Sequence, residues 1–229
     1  MSLASTLGIA SLTHLNVSLP SSSTKAFTSL IDVAVHGQGP FPGAKNWAGR
    51  ILAQKQGDVE GAIDKVVATS VTLGGAQGFV TNLGGLVTAI VAMPANVVGV
   101  TLVQSRMVAA IAHLRGYDVE DPRVRAAIMM VLLGRVDVQE QIRKGNLPST
   151  PLVIATAPVA DSDLEDQIAN RVLAIYLSET GGKRTVAVIG RRVPLLGGGV
   201  GLVADGYSTH AVSRYARSEF VSRRGQLRP

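Results

Sequence analysis

Apolar residues recur at the spacing of an α-helix in several segments that follow residue 57. In the first of these segments, which Asp58 can cap, one face collects Val59, Ile63, Val66, Val67 and Ser70. Each of three later segments begins with a helix-capping signal and ends at glycine: Asp121-Pro122 to Gly134, Asp137–Glu140 to Gly145, and Ser162–Glu165 to Gly181-Gly182. In the last segment, the residues predicted to face inward are Ile168, Val172, Ile175 and Tyr176. The pattern predicts an all-α helical bundle.

One stretch has the character of a β-strand instead. Residues 151–157 read PLVIATA and lie between Pro148 and Pro158. Prolines confine a strand to the edge of a sheet, and a single extended segment cannot form a sheet by itself. We therefore expect an extended segment here without a change of fold class.

Two long apolar stretches interrupt the amphipathic pattern. Residues 66–105 contain no charged side chain, and 13 of the 20 residues in 83–102 are Ala, Val, Ile, Leu or Met, a length that can cross a bilayer. The second stretch, 193–204, is too short to span one alone. Glycines and Pro94 divide the first stretch into shorter pieces. The sequence therefore predicts two Gly-rich apolar helical hairpins, one from each stretch.

Glycine is unusually frequent in these stretches. Each glycine in a water-exposed helix costs about 1 kcal/mol relative to Ala, so close packing of helices in lipid is an expected compensation. The residues predicted to face lipid or to pack helices are Gly74, Gly78, Gly84, Gly85, Pro94, Gly99, Pro194, Gly197 and Gly201. The alternative is that these glycines mark loops and helix ends in a buried, soluble core. A phosphate loop is excluded, because GGGVGLVAD lacks the lysine and hydroxyl residue that follow the last glycine of that motif.

The net charge of +6 belongs to the C-terminal part of the chain. From Lys183 onward the sequence carries +7, and the first 182 residues sum to −1. Anionic lipid headgroups are the expected partner, and the residues predicted to bind an anionic surface are Arg191, Arg192, Arg214, Arg217, Arg223 and Arg224. Nucleic acid is not expected, since few aromatic residues accompany these arginines. A plain solvated basic tail is the alternative.

Sequence features also suggest a division into segments. Residues 1–24 carry no charge, so they lack the basic region that precedes the apolar region of a secretory signal. Residues 36–45 are rich in Gly and Pro. We expect a poorly ordered leader and linker over 1–40, a helical domain over 41–220 and a basic tail over 221–229.

Catalytic chemistry has little support in the sequence. The chain has no cysteine, and its four histidines have no His or carboxylate partner at metal-binding spacing. We predict no catalytic residue, no cofactor and no metal. A hydrolytic alternative would require His113, Asp118 and Asp205 to converge in one pocket.

Several blocks of the sequence carry a family resemblance: GAIDKVV, LGGAQGFVTNLGGL, MPANVVGVTLVQSRMVAAIAHLRGYD, DPRVRAAIMMVLLG, PSTPLVIA and VPLLGGGVGLVADGYSTHAVSRYAR. On these blocks, and on the spacing of Pro194, Gly197, Gly201 and Asp205, residues 40–220 resemble the EcsC protein family. The resemblance implies a mostly helical bacterial protein without established catalytic residues. The family takes its name from a member encoded beside an ABC-type transporter, so a transporter or another membrane complex is a candidate partner.

The sequence favours a non-enzymatic, homo-oligomeric protein on the cytoplasmic face of a membrane. It would bind lipid, shape the membrane or scaffold a membrane machine. The alternative is a soluble helical module that self-assembles or holds an apolar ligand.

Overall fold

A computed structural model describes residues 21–39, 41–74, 95–158, 163–180 and 200–223. Within these ranges the predicted all-α fold is confirmed, since nine helices account for almost all regular structure and the two β-strands are two residues long. The elements are α1 (Ser21–His36), β1 (Gly37–Gln38), β2 (Phe41–Pro42), α2 (Ala44–Gln54), α3 (Val59–Gly74), α4 (Ala95–Leu114), α5 (Pro122–Leu132), α6 (Arg135–Arg143), α7 (Pro151–Ala155), α8 (Leu164–Thr180) and α9 (Val200–Glu219).

Helix α4 is the centre of the bundle. It packs against α1, α2, α3, α5 and α9, and every residue from 101 to 112 is buried. A helix that buries its whole circumference needs apolar or small residues on all sides, which the sequence of α4 supplies. The strands β1 and β2 pair antiparallel and join α1 to α2 beside it.

Two of the predicted helix caps and most of the predicted buried positions on α3 and α8 are confirmed. The Asp58 carboxylate accepts the backbone N–H of Gly61 at 3.1 Å, and Asp121 caps α5 through the N–H of Arg123 at 2.9 Å. Ile63, Val66, Val67 and Ser70 are buried in α3, as are Ile168, Val172 and Ile175 in α8. The expected capping box at 137–140 is wrong, because α6 begins at Arg135 and Asp137 lies within its first turn. The N-cap is Gly134, whose φ of 84° suits glycine.

The expected extended segment at 151–157 is also wrong. Residues Pro151–Ala155 form the short helix α7, with Thr150 at its N-cap and proline at its first position. The Glu219 carboxylate of α9 accepts the N–H of Leu152 at 2.9 Å. This contact spans 67 residues of sequence, so the local pattern that favoured a strand could not reveal it.

The expected leader over 1–40 has to be corrected in its second half. Residues 21–36 form α1, which packs against α4 and α8 with Phe27, Leu30, Ile31 and Ala34 fully buried. Residue spacing of three and four places these side chains on one face, which is the pattern of a core helix. Helix α1 therefore belongs to the domain, and residues 1–20 lie outside the described part of the chain.

Truncation of an α1 core residue tests this correction. Phe27→Ala should lower the free energy of unfolding by about 3–5 kcal/mol, because it leaves a cavity among buried side chains. Urea unfolding followed by circular dichroism measures the change. The control is Val136→Ala at a position that is 72% exposed, where we expect less than about 0.5 kcal/mol. A loss that small for Phe27→Ala would show that α1 does not contribute to the core.

Candidate functional site

The direction of α9 relative to its neighbours is fixed by contacts at both ends. Near its N-terminus, a Cβ built on Gly206 would lie 3.6 Å from Cγ1 of Val71 on α3. Near its C-terminus, Nη2 of Arg217 lies 2.6 Å from Oδ1 of Asp64 on α3. Helices α9 and α3 are therefore antiparallel.

The same reasoning places α9 parallel to α4. Gln104 donates to Thr209 Oγ1 at 3.2 Å, and the backbone N–H of Arg223 donates to the carbonyl of Arg115 at 2.8 Å. The C-terminus of α3 and the N-termini of α4 and α9 consequently lie at one end of the bundle. We call this region, formed by the last turns of α3 and the first turns of α4 and α9, the apolar end.

The apolar end is where both apolar stretches of the sequence meet the described structure. The first stretch leaves α3 at Gly74 and returns at Ala95, and the second runs into α9 at Val200. In α3 the last charged residue is Lys65, about 14 Å from the helix end at 1.5 Å per residue. In α4 the first is Arg106, about 16 Å from the helix start. In α9, Asp205 is the only charged residue within the same distance of the helix N-terminus.

Polar side chains between α4 and α9 satisfy one another inside the bundle. Gln104 also donates to Ser208 Oγ at 3.1 Å, and the Ser105 hydroxyl donates to the Thr101 carbonyl at 2.7 Å. Buried polar groups cost little when they are hydrogen-bonded. We read this layer as a packing contact between two helices of small residues.

The structure covers part of the predicted lipid-facing or packing set. Gly99 is buried in α4, Gly74 ends α3, and Gly201 lies in the first turn of α9. The remaining members, Gly78, Gly84, Gly85, Pro94, Pro194 and Gly197, lie outside the described residues. Among the described residues, no helix combines the length and the apolar character that a bilayer span requires.

The C-terminal arginines lie at the opposite end of α9. Arg214 is exposed and about 21 Å along the helix from Val200. Arg217 pairs with Asp64, and Cζ of Arg223 lies 5.3 Å from the centroid of the Tyr117 ring. Two of the predicted surface arginines thus make contacts within the protein. Arg191, Arg192 and Arg224 lie outside the described residues.

The structure does not bring together the three residues that the hydrolytic alternative requires. His113 lies at the end of α4, whereas Asp205 lies in the first turns of the parallel helix α9, about 20 Å away along the helix axes. Asp118 is exposed in the turn after α4, and its carboxylate accepts the N–H of Glu120 at 3.1 Å. Among the described residues, no group of three metal-ligating side chains is close enough to hold a metal ion.

One residue with unusual surroundings was not predicted from the sequence. Arg106, in the middle of α4, is 6% exposed, and its Cζ lies 4.3 Å from the centroid of the Phe41 ring and 3.9 Å from that of Trp47. Within the described part of the chain no carboxylate lies within ion-pair distance of it, and its buried Nε has no hydrogen-bond acceptor. Burial, with a smaller effect of the nearby charge of Arg50, lowers the pKa of Arg106 to about 10.

A second buried arginine shows the opposite arrangement. Arg125 of α5 donates to Asp32 of α1 at 2.6 Å and to Glu165 of α8 at 2.7 Å. Burial lowers the pKa of Arg125, but the two carboxylates more than offset that effect, so the net shift is upward. Arg125 therefore joins three helices as a structural ion-pair network.

The sequence contained a partial signal for Arg106. It is the first charge after the 40 uncharged residues of 66–105, inside a helix that is apolar on all sides. Its aromatic neighbours Phe41 and Trp47 are about 60 residues away in sequence, and only the folded chain brings them together.

The architecture defines a class: an all-α bundle around one fully buried helix, with an uncharged end and a buried arginine between aromatic rings. The chain belongs to the EcsC protein family, whose family model matches residues 10–224. This match begins well before residue 40, in agreement with the inclusion of α1 in the domain. No curated protein and no solved structure matches the chain.

The two buried arginines should respond differently to the same substitution. Arg125→Met should lower the free energy of unfolding by about 3 kcal/mol, because it leaves the mostly buried Glu165 without its partner. Arg106→Met should change it by less than about 1 kcal/mol, since no carboxylate loses a partner and the thioether can pack on the rings. Urea unfolding measures both. Equal losses would show that Arg106 has an acidic partner within the protein.

Proposed function

We propose that this protein is a non-enzymatic helical protein that inserts its apolar end into the cytoplasmic face of a membrane. The observation that carries the proposal is that both apolar stretches join the described helices at one end of the bundle, where α3 ends and α4 and α9 begin. A bilayer is the environment that favours such a surface, because its interior accepts apolar side chains and rejects charge.

The distribution of charge supports an end-on orientation. Apart from Asp205, the apolar end is uncharged for about 14–16 Å of helix, which is about half the hydrocarbon thickness of a bilayer. Insertion to that depth would involve one leaflet. Lipid binding, membrane shaping and scaffolding of a membrane complex are all compatible with a protein anchored in this way.

The proposed orientation changes which arginines would contact anionic headgroups. Arg191 and Arg192 directly precede the second apolar stretch in sequence, and each basic residue near an anionic surface adds about 1 kcal/mol. Arg214 and Arg217 lie near the other end of α9 and Arg223 lies just beyond it, so all three would face away from the membrane. Homo-oligomerisation and contact with a transporter or another membrane complex remain part of the proposal.

Co-sedimentation with vesicles tests the proposal. The full chain should sediment with vesicles of phosphatidylglycerol and phosphatidylcholine. Val87→Asp, within the first apolar stretch, should reduce the bound fraction about ten-fold or more, because a carboxylate in the bilayer interior costs about 2.5–3.5 kcal/mol.

The matched control is Val136→Asp, at a 72% exposed position on α6. The neighbouring Arg135 contacts Tyr215 and Ser218, so this position lies at the end of the bundle opposite the apolar end. Val136→Asp should bind like the unmodified protein. A folded protein that stays in the supernatant would contradict the proposal, and a multimeric mass in that supernatant would favour the soluble, self-assembling alternative.

A further inference from the structure

Arg106 carries a charge that the described structure does not neutralise. A guanidinium has five N–H donors and holds its charge at any physiological pH. Burial of such a group costs several kcal/mol unless a partner compensates, and a ring face attracts the charge without accepting a conventional hydrogen bond. Phe41 and Trp47 therefore hold the side chain in place but leave its donors available.

The surroundings of Arg106 contain more positive charge instead of an acid. Arg50 and Trp47 lie three residues apart on α2, and therefore on one face of that helix, and Arg50 is exposed. Neither α2 nor the two β-strands contains an acidic residue. On the neighbouring helices α1 and α3 the acidic residues are already engaged: Asp32 with Arg125, Asp58 as a cap, Glu60 with Arg115 and Asp64 with Arg217.

The polar side chains between α4 and α9 cannot accept hydrogen bonds from Arg106 either. Gln104, which faces α9, precedes Arg106 by two residues, so the two side chains project about 200° apart around α4. Arg106 projects toward α2 and β2, away from α9. Among the segments that the structure leaves undescribed, 1–20, 75–94, 181–199 and 224–229 contain no acidic residue, and 159–162, directly before α8, contains Asp161.

We propose that Arg106 and Arg50 form a binding site for a phosphate group, with Phe41 and Trp47 as its aromatic walls. The tetrahedral phosphate carries enough oxygens to accept from both guanidinium groups, and arginine is the side chain best suited to that contact. The phosphate can belong to a free phosphate compound or to a lipid headgroup, since both present the same oxygens. The site does not depend on insertion of the apolar end.

Trp47 reports directly on this site, because it is the only tryptophan in the chain and touches the Arg106 guanidinium. Fluorescence of the full chain is followed in two titrations. One uses inorganic phosphate against chloride at equal ionic strength. The other uses vesicles of phosphatidylcholine with or without phosphatidylglycerol.

Three variants separate the site from general charge effects. Arg50→Gln removes an exposed arginine and should weaken the response about ten-fold or more, since a phosphate would lose one of two charged donors. Arg106→Met should abolish the response. Lys45→Gln removes the same charge from the same helix, on another face, and should leave the response unchanged.

A saturable response to inorganic phosphate that follows this order of variants supports a free phosphate ligand. A response confined to phosphatidylglycerol vesicles, with the same order, supports a lipid headgroup. No response to either probe, or equal responses of Arg50→Gln and Lys45→Gln, would overturn the site. Sedimentation of Arg50→Gln with vesicles measures membrane insertion separately from phosphate binding, so the proposed insertion and the proposed phosphate site can fail independently.

Discussion

Complete burial of helix α4 is the constraint on which the rest of the structure depends. Five other helices surround it, and every residue from 101 to 112 is buried. Each polar group on such a helix must find its partner inside the protein. Gln104 donates to side chains of α9, and the Ser105 hydroxyl donates to the backbone carbonyl of Thr101. Within the described part of the chain, the Arg106 guanidinium contacts aromatic rings and no carboxylate.

The same constraint explains the position of the apolar end. Helix α4 can be apolar all round because α1, α2, α3, α5 and α9 cover it, and the antiparallel α3 and parallel α9 bring the two apolar stretches to its N-terminal end. Charge is displaced toward the other end, where Arg217 pairs with Asp64 and Arg135 stacks on Tyr215. Burial of the phenol, with a smaller contribution from the nearby carboxylate of Glu219, raises the pKa of Tyr215.

Local chemistry determined how much could be predicted from the sequence. The caps at Asp58 and Asp121 and the buried faces of α3 and α8 follow from residue spacing, and all were predictable. Helix α7 was not, because its N-terminus is completed by Glu219 from a distant helix. The charge-free residues before α1 and the Gly/Pro linker after it suggest a domain boundary, so the sequence favours a leader there although the apolar face of α1 fits the core.

The candidate sites likewise combine features that the local sequence shows with contacts that only the fold creates. Periodicity and the absence of charge identified the two apolar stretches, but their convergence depends on helix directions that no local pattern contains. The aromatic neighbours of Arg106 come from β2 and α2, and Arg217 finds its acid on α3. Contacts between distant segments therefore decide which arginines are available for a ligand and which are structural.

Depth-dependent quenching tests the end-on account most directly. The chain has no cysteine, so Tyr207→Cys and Val136→Cys each give one attachment point, at positions 70% and 72% exposed. Each variant carries an environment-sensitive fluorophore and is mixed with anionic vesicles that contain spin-labelled lipid. End-on insertion of the apolar end should give quenching at position 207, beside that end, and none at position 136. Equal quenching at both positions, or none at either, would contradict it.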